Sequence, residues 1–568
     1  MGRDRSRTCI STSRAVRSLL ARHFAGAGGL LWRGPRARRV VALAFLVVFT
    51  AVMLAEYAAF SRGLAALAEL RAAGAALTLY FLEGVLALIL LVSLVSFVAS
   101  GLWMFYRARD TRLLLAAPVP LTALYTLRAL ETFALTSWAQ VVVGVPALAA
   151  LGVVHRQGVG FYALGIVILG CFAVLLGALG AVLTTVAAAL LRRAPTRLAV
   201  GLVALVLIVA FALLIGRNLV PSTGDFYVIF EPGMLNGKPA SIKFIESKFA
   251  FWPSHPFAAT LYTAATGAPA GSSWTRALVW LAPLAALALA AAPGRSLYAR
   301  TLPAIAERFA LSGGRRRAAG RASAFPRLRG PIGALLERDL LVIARSPHEL
   351  SRAAFLGFLL ALYTSFIVVA PLREVADRPE AVGRLVLLNM MASGYFLTAF
   401  ALRFAFPAVS LEGRAAWVLF SSPVRLIRLV LAKLGLATGL LTATVVPIAL
   451  AGMLRLARDP ALVLISAAFL VMMVATTATL LLALGAAWPN FREPNPEALS
   501  TSGGGLIGTV ICLFYVAVVG WEARAAALGA AIGASPLPPL LTVAAVSATL
   551  VLGALVLVRR RAPALEAP

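Results

Sequence analysis

The stretch Glu412–Lys433, EGRAAWVLFSSPVRLIRLVLAK, carries charges and a proline between two long apolar runs. An earlier stretch, Asp110–Arg128, DTRLLLAAPVPLTALYTLR, has the same design. We call these the second and the first elbow. When Pro423 and Pro118 are aligned, both elbows show an acid and an arginine upstream, two small residues before the proline, valine after it, and a base ten positions later. This internal repeat indicates a chain built from two halves of similar design.

The composition indicates a membrane protein that crosses the bilayer many times. The 568 residues are 61% hydrophobic and 13% charged, with a mean hydropathy of +0.91, which a soluble globule cannot accommodate. The net charge of +30 comes largely from arginines in short loops and tails. In such loops arginines act as topology signals, so we expect contact with membrane lipid and no binding of nucleic acid.

Cysteines and histidines give no sign of a disulfide framework, a metal site or a bound cofactor. The three cysteines are far apart, with one in the basic tail and two inside apolar runs. The four histidines fall in separate loops or tails without the spacing of metal ligands. These seven residues are Cys9, Cys171, Cys512, His23, His155, His255 and His348.

A transmembrane helix needs about 20 apolar residues. The runs of sufficient length are 40–60, 76–105, 123–153, 159–191, 198–220, 274–293, 353–371, 382–407, 426–452, 460–488, 505–521 and 536–558. The sequence therefore predicts an all-α polytopic membrane protein, with about twelve transmembrane helices in two six-helix halves. The third, fourth and tenth runs are long, so these helices are expected to tilt or to extend along the interface.

Basic residues next to the predicted spans concentrate on one side, which the positive-inside rule makes cytoplasmic. The predicted segments are a basic cytoplasmic N-terminal segment 1–39, a first membrane half 40–293 with an outside loop 221–273, a cytoplasmic linker with an interfacial helix 294–351, a second half 352–558 and a cytoplasmic tail 559–568. Both termini are then cytoplasmic. The abundance of Ala, Arg, Gly and Leu with little lysine is typical of GC-rich bacterial coding, and favours a bacterial inner membrane.

Two long loops invite a structural interpretation. The outside loop 221–273 is either a small cap, a re-entrant element or a passive connector. In the cytoplasmic linker, Pro331–Pro347 has apolar residues at helical spacing and is predicted to be an interfacial helix. Asp339 would interrupt its apolar face, so this acid is expected to meet a basic partner or a span end, or else to be a frayed surface residue. Arg338, Asp339 and Arg345 are the candidate site residues of this helix.

Strongly polar residues are rare inside the apolar runs. They are Glu83, Gln140, Asn389 and Arg403, with Glu56, Glu131 and Arg217 closer to the ends. An ion-coupled carrier concentrates acids or histidines near the bilayer midplane, and no such relay is visible. The sequence also lacks the phosphate loop GxxxxGK[ST] and the motifs HExxH, GxSxG and paired CxxC. We therefore expect no enzyme activity, and an energy source supplied by another polypeptide.

The second elbow resembles a known transporter motif. Glu412, Arg414, Leu419, the SSPV run 421–424 and Lys433 are similar to the E…R…L…SSPV…K elbow of ABC-2 type transporter permeases. The two-half layout, with RGP at Arg329–Pro331, RDLLVIARSP at Arg338–Pro347 and NFREPNP at Asn490–Pro496, resembles bacterial ABC exporters with a fused double permease.

In that family the elbow is the surface contacted by the ATP-binding cassette subunits. The resemblance therefore implies candidate docking residues at both elbows: Glu412, Arg414, Ser421, Ser422 and Pro423 in the second, and Asp110, Arg112 and Pro118 in the first. The first elbow departs from the pattern, because Ala116 and Ala117 replace the two serines.

The sequence thus favours the permease subunit of an ATP-binding cassette exporter, which moves a substrate across the inner membrane with ATP hydrolysed by a separate ATPase subunit. A secondary carrier or channel is one alternative. The other is a membrane-embedded transferase, for which Asp225 or Glu231 in the outside loop would be the catalytic candidates.

Overall fold

The computed structural model describes most of the chain from residue 36 to residue 566. The gaps are 108–110, 117–118, 138–139, 194–218, 220–223, 226–233, 236–237, 304–329, 346, 370–377, 417–425, 458, 492–498 and 501. Apart from one two-stranded turn, the regular structure of the described residues is helical. Clustering of the contacts divides the chain into two compact units.

The first unit comprises the described residues of 46–321 and 346–359. Its described α-helices are α1 (Arg36–Ala68, which starts in the second unit), α2 (Arg71–Arg107), α3 (Thr111–Ala116), α4 (Leu121–Thr136), α5 (Val145–Val154), α6 (Val159–Arg193), α7 (Ala240–Phe249), α8 (His255–Thr266) and α9 (Ser273–Leu289). Long α2 and α6 pack on each other, and α4, α8 and α9 pack around them. An aromatic cluster of Phe105, Tyr106, Tyr125 and Tyr298 fills one end of this core.

The predicted outside loop 221–273 contains regular structure. Strands β1 (Met234–Leu235) and β2 (Lys238–Pro239) pair antiparallel, with Met234 opposite Pro239. Helices α7 and α8 follow, and α8 is mostly buried. It ends at Gly267, whose φ of 70° is left-handed and suits a residue without a side chain.

The second unit comprises the described residues of 36–45, 330–345 and 360–566. Its described α-helices are α10 (Gly330–Arg345), α11 (Pro347–Val369, shared with the first unit), α12 (Pro379–Phe404), α13 (Leu426–Leu456), α14 (Pro460–Ala487), α15 (Gly503–Ala531) and α16 (Leu537–Glu566). Helix α14 is the centre of this unit, since it packs against α12, α13, α15 and α16. Asp459 starts it by accepting a hydrogen bond from the backbone N–H of Ala461 at 2.9 Å, with Pro460 in the first turn.

The protein is a multi-pass membrane protein. Among the described residues, nine helices are long and apolar enough to span a bilayer, or ten if the pair Leu121–Thr136 and Gln140–Val154 forms one span. That pair corresponds to the third predicted run and is bent by 48° rather than simply tilted. A π-helical turn at Gln140–Gly144 follows the break, which is a common cause of such bends.

The prediction of twelve helices is therefore met only in part. Run 353–371 lies in α11, of which Ala353–Val368 is the apolar part, and the first run, 40–60, lies within α1, of which the described part Phe49–Ala68 is a candidate span. Run 198–220 lies outside the described residues except for Leu219. The segment predicted as an interfacial helix is helical: α10 ends at Arg345, two residues before Pro347, as the sequence pattern predicts. Its position at the membrane surface stays a prediction.

Candidate functional site: the charge cluster of the second elbow

Four charged side chains from three parts of the second unit meet at the second elbow. Arg338 and Asp339 come from α10, Glu412 from the 3-10 helix Ser410–Ala415, and Lys433 from the second turn of α13. We call these four residues the elbow cluster. Asp339 had been expected to find a basic partner, and the structure confirms this with both Arg338 and Lys433.

Lys433 is the centre of the elbow cluster. Its Nζ donates to Asp339 Oδ2 at 2.9 Å and lies 2.7 Å from Glu412 Oε1. The Lys433 side chain is only 4% exposed and that of Glu412 only 6%. An ammonium group so far removed from water is tolerated because two carboxylates surround it.

Arg338 closes the elbow cluster from the solvent side, where its side chain is 45% exposed. Its guanidinium donates to Asp339 Oδ1 at 2.7 Å and to Glu412 Oε1 at 2.5 Å. Burial alone would lower the pKa of Arg338, but hydrogen bonds to Glu412 and Asp339 outweigh it and raise that pKa. Two acids and two bases give the elbow cluster no net charge.

The local backbone explains how Glu412 reaches this position. The chain leaves α12 through the 3-10 helix Phe406–Ala408 and then makes a second 3-10 turn, Ser410–Ala415. Gly413 within that turn has φ 59° and ψ −140°, a conformation that residues with a side chain rarely adopt. The Ser410 hydroxyl also accepts from the backbone N–H of Asn490 at 3.1 Å, which ties the turn to the NFREPNP segment.

The other candidate residues of the second elbow and of α10 are less well defined. Arg414 lies in the 3-10 turn and Arg345 is the last residue of α10, but their side chains are outside the described set. Ser421, Ser422 and Pro423 lie outside the described residues.

The base of the first elbow, Arg128, corresponds to Lys433 and is also buried, at 2% exposure. It donates to Glu131 Oε2 at 2.6 Å, three positions further on in α4, and to Thr111 Oγ1 at 3.1 Å. Its described acidic partner is thus local, whereas Lys433 joins α10 to the elbow. Asp110 and Pro118 lie outside the described residues, as does the side chain of Arg112.

Among the pairs that sequence reasoning missed is Glu83 with His255, which we describe below. An isolated acid such as Glu83 in an apolar run was a usable signal, because a buried carboxylate needs a partner. His255 gave no signal, since 172 positions separate it from Glu83.

Comparison with known proteins places the chain in a family. The family model described as "Putative ATP-binding cassette" matches residues 35–557, so the chain belongs to this family of membrane components of ATP-binding cassette transport. No curated protein and no solved structure matches the chain significantly.

Proposed function

We propose that the chain is the permease subunit of an ABC-2 type exporter in a bacterial inner membrane, and that a separate cassette ATPase drives it. Family membership supports a role in ATP-binding cassette transport. The sequence has no GxxxxGK[ST] loop to hold nucleotide phosphates, which supports a separate ATPase. Two similar elbows in one chain favour a fused double permease with twelve spans in two halves.

The observation that carries this proposal is the elbow cluster. Three segments that are distant in sequence, α10, the 3-10 turn and α13, are held together by Lys433, Asp339 and Glu412. A force applied to the elbow would therefore reach α10 and the span α13 together. Rigid-body movement of a helix group is the usual means by which transporters expose a site to alternate sides of the membrane.

Burial divides the roles of the docking candidates. Glu412, at 6% exposure and already paired within the chain, suits an anchor better than a partner contact. Arg338, at 45% exposure, is the member of the elbow cluster that an ATPase can reach. We therefore place Arg338 on the docking surface, with Glu412 and Lys433 holding that surface in position. Arg414 and the segment 417–425 are added to it on the sequence resemblance alone.

The test uses the full-length tagged chain, purified from its native membrane. We expect a copurifying polypeptide with phosphate-loop motifs, and ATP hydrolysis only when that subunit is present. ATP turnover by the chain alone, free of contaminating ATPase, would refute the proposed function. So would the absence of any cassette ATPase after mild purification of the intact complex.

A charge exchange separates anchoring from docking. Glu412→Lys places three bases around Asp339, and breaking a buried ion pair in this way costs about 3–5 kcal/mol. We expect it to lower thermal stability and ATPase association together. The reciprocal variant Glu412→Lys with Lys433→Glu restores the 412–433 pair and the net charge of the elbow cluster. It should recover both properties only in part, because it sets an acid against Asp339 and a base against Arg338.

Arg414→Glu should instead lower ATPase association without lowering thermal stability, because it leaves the elbow cluster intact. The first-elbow variant Asp110→Lys with Arg112→Glu serves as the comparison at matched expression. If the exchange variant regains stability but not association, Glu412 itself touches the ATPase and the anchor role is wrong. If only the first-elbow variant fails to assemble, the dominant docking site has been misplaced.

A further inference from the structure

The first unit contains a buried acid and histidine in direct contact. Glu83 lies in α2, within the candidate span Ala73–Tyr106, and its side chain is 0% exposed. His255 is the first residue of α8, and its side chain is 6% exposed. The two side chains meet with 2.7 Å between His255 Nδ1 and Glu83 Oε1. Within the described part of the chain, Glu83 Oε2 has no hydrogen-bond partner.

The contact joins a span to a helix that is otherwise held by apolar packing. Phe257 of α8 packs on Phe172 of α6 with ring centroids 4.9 Å apart, and it is fully buried. At the other end of α8, Gln157 Nε2 donates to the carbonyl of Ala265 at 2.7 Å. Such packing leaves water little access to the Glu83–His255 pair, whose side chains are 0% and 6% exposed.

The charge of the pair depends on one proton. With that proton shared, the pair is neutral overall, whether as carboxylate with imidazolium or as carboxylic acid with imidazole. Loss of the proton leaves one negative charge in a dry environment, and gain of a second leaves one positive charge. A buried charge without compensation is strongly disfavoured, so both changes weaken the seating of α8.

The surrounding charges favour retention of the proton. Glu246 of α7 interacts electrostatically with Glu83, and its Oε1 accepts from the backbone N–H of Gly271 at 2.7 Å. A second negative charge beside Glu246 would be repelled, whereas an added positive charge would be partly compensated. Lys248 of α7 does not by itself balance a negative charge on the pair, because its Nζ lies 2.6 Å from Asp225 Oδ2.

The other charged or titratable residues on the surrounding helices do not change the balance between loss and gain of a proton by the pair. Tyr80 stands one turn before Glu83 on α2, with Lys248 Nζ 5.3 Å from its ring centroid. Helix α9 carries Arg276 in its first turn, and α6 carries its charges at Arg192 and Arg193, at the end far from Phe172. The charged pair of α4, Arg128 with Glu131, lies towards the Phe105 end of α2.

We propose that Glu83 and His255 form a proton-binding site, and that α8 stays seated on α2 only while the pair holds its shared proton. At alkaline pH the proton is lost to water, the pair becomes an uncompensated anion beside Glu246, and α8 separates from α2. The inference does not depend on the ATPase partner, since it concerns proton binding within the first unit.

The test measures access to α8 as a function of pH. Ala258, which is 0% exposed in α8, is changed to cysteine in a full-length chain whose Cys9, Cys171 and Cys512 are replaced by alanine. The protein is placed in lipid nanodiscs and its reaction with a water-soluble maleimide is timed. The same cysteine in a Glu83→Gln, His255→Gln background is the reference, because the amide pair keeps a hydrogen bond without a titratable group.

Dividing the two rates cancels the effect of pH on the thiol itself. We expect the ratio to rise at alkaline pH, by about tenfold per pH unit through the titration. Lys248→Gln changes a nearby charge but not the pair, so it should preserve that rise. Glu83→Gln alone, which removes only the carboxyl group, should give a flat ratio and serves if the double variant does not fold.

Three results would overturn the proposal. The first is a ratio that stays constant across the pH range, and the second is a rise on the acid side instead. The third is a ratio that no longer rises with pH in the Lys248→Gln variant but still rises in the Glu83→Gln variant. That result would assign the titration to another group.

Discussion

The charged residues of this protein show what a sequence reveals about partners. An acid on the apolar face of a predicted helix indicated that Asp339 meets a base or a span end unless it is a frayed surface residue, and the structure shows the base. The identity of the base, Lys433, was not predictable, because 94 positions separate the two and only the packing of α10 on α13 brings them together. His255 illustrates the opposite case, since a histidine in a loop sequence is buried against Glu83.

Gly413 gives a prediction at the scale of one residue. Gly413→Ala should destabilise the second elbow by about 1–3 kcal/mol, because φ of 59° with ψ of −140° is strained for any residue with a Cβ. The nearest atom to such a Cβ is the carbonyl oxygen of Phe491 at 4.0 Å, so the cost arises from the backbone and not from a clash. Thermal unfolding in detergent measures it.

Gly435→Ala in α13 is the matched control, since a Cβ there meets nothing within 4 Å. It should be neutral or slightly stabilising, because alanine favours a helix by up to about 1 kcal/mol over glycine. Equal melting temperatures for Gly413→Ala and wild type would show that the turn relaxes into another conformation.

At the scale of elements, most helices could be predicted because long apolar runs are a strong signal. The breaks within these helices were harder to predict from the sequence. The 48° break before Gln140 requires knowledge of how α4 and the π-helical turn pack, and an uninterrupted apolar run does not encode it. The two short helices of loop 221–273 were also missed as defined elements, because the loop contains both charged and aromatic residues.

Close approach of backbones gives an element-scale prediction in the second unit. A Cβ built on Gly485 of α14 would lie 1.9 Å from the carbonyl oxygen of Phe406, which begins the 3-10 helix Phe406–Ala408. Gly485→Ala should therefore push this helix away from α14 and destabilise the protein by about 1–3 kcal/mol, the usual cost of overpacking.

Thermal unfolding again provides the measurement, with Gly439→Ala in α13 as a control whose Cβ meets nothing within 4 Å. Comparable melting temperatures for the two variants would mean that the 3-10 helix moves without cost. Because this helix leads into the second elbow, Gly485→Ala should also reduce ATPase association.

At the scale of the whole molecule, composition alone established a multi-pass membrane protein, and the family match supports the transport class that the elbow motif suggested. The total of twelve spans remains a prediction. One of the twelve predicted runs, 198–220, lies almost wholly outside the described residues. The seventh run, 353–371, lies in α11, whose described apolar part, Ala353–Val368, is shorter than an ordinary span of about 20 residues.

The prediction at the scale of the whole molecule concerns the side of the membrane on which each loop lies. With the native cysteines replaced, Arg316→Cys in the basic linker should resist an impermeant thiol reagent in intact cells and react after permeabilisation. A cysteine at Ser273, at the end of loop 221–273, should react in intact cells. The reason is the concentration of arginine next to one set of span ends, which the positive-inside rule assigns to the cytoplasm. Rapid labelling at position 316 in intact cells would reverse or break the model.

The elbow cluster also implies an order of events during synthesis. The chain is made from its N-terminus, so Arg338 and Asp339 emerge first and neutralise each other. Glu412 follows 74 positions after Arg338 and adds an excess negative charge, which persists until Lys433 is made. Helix α10 thus cannot reach its final position on α13 before the ribosome has passed residue 433. The last-made member of the elbow cluster is the one that completes the elbow.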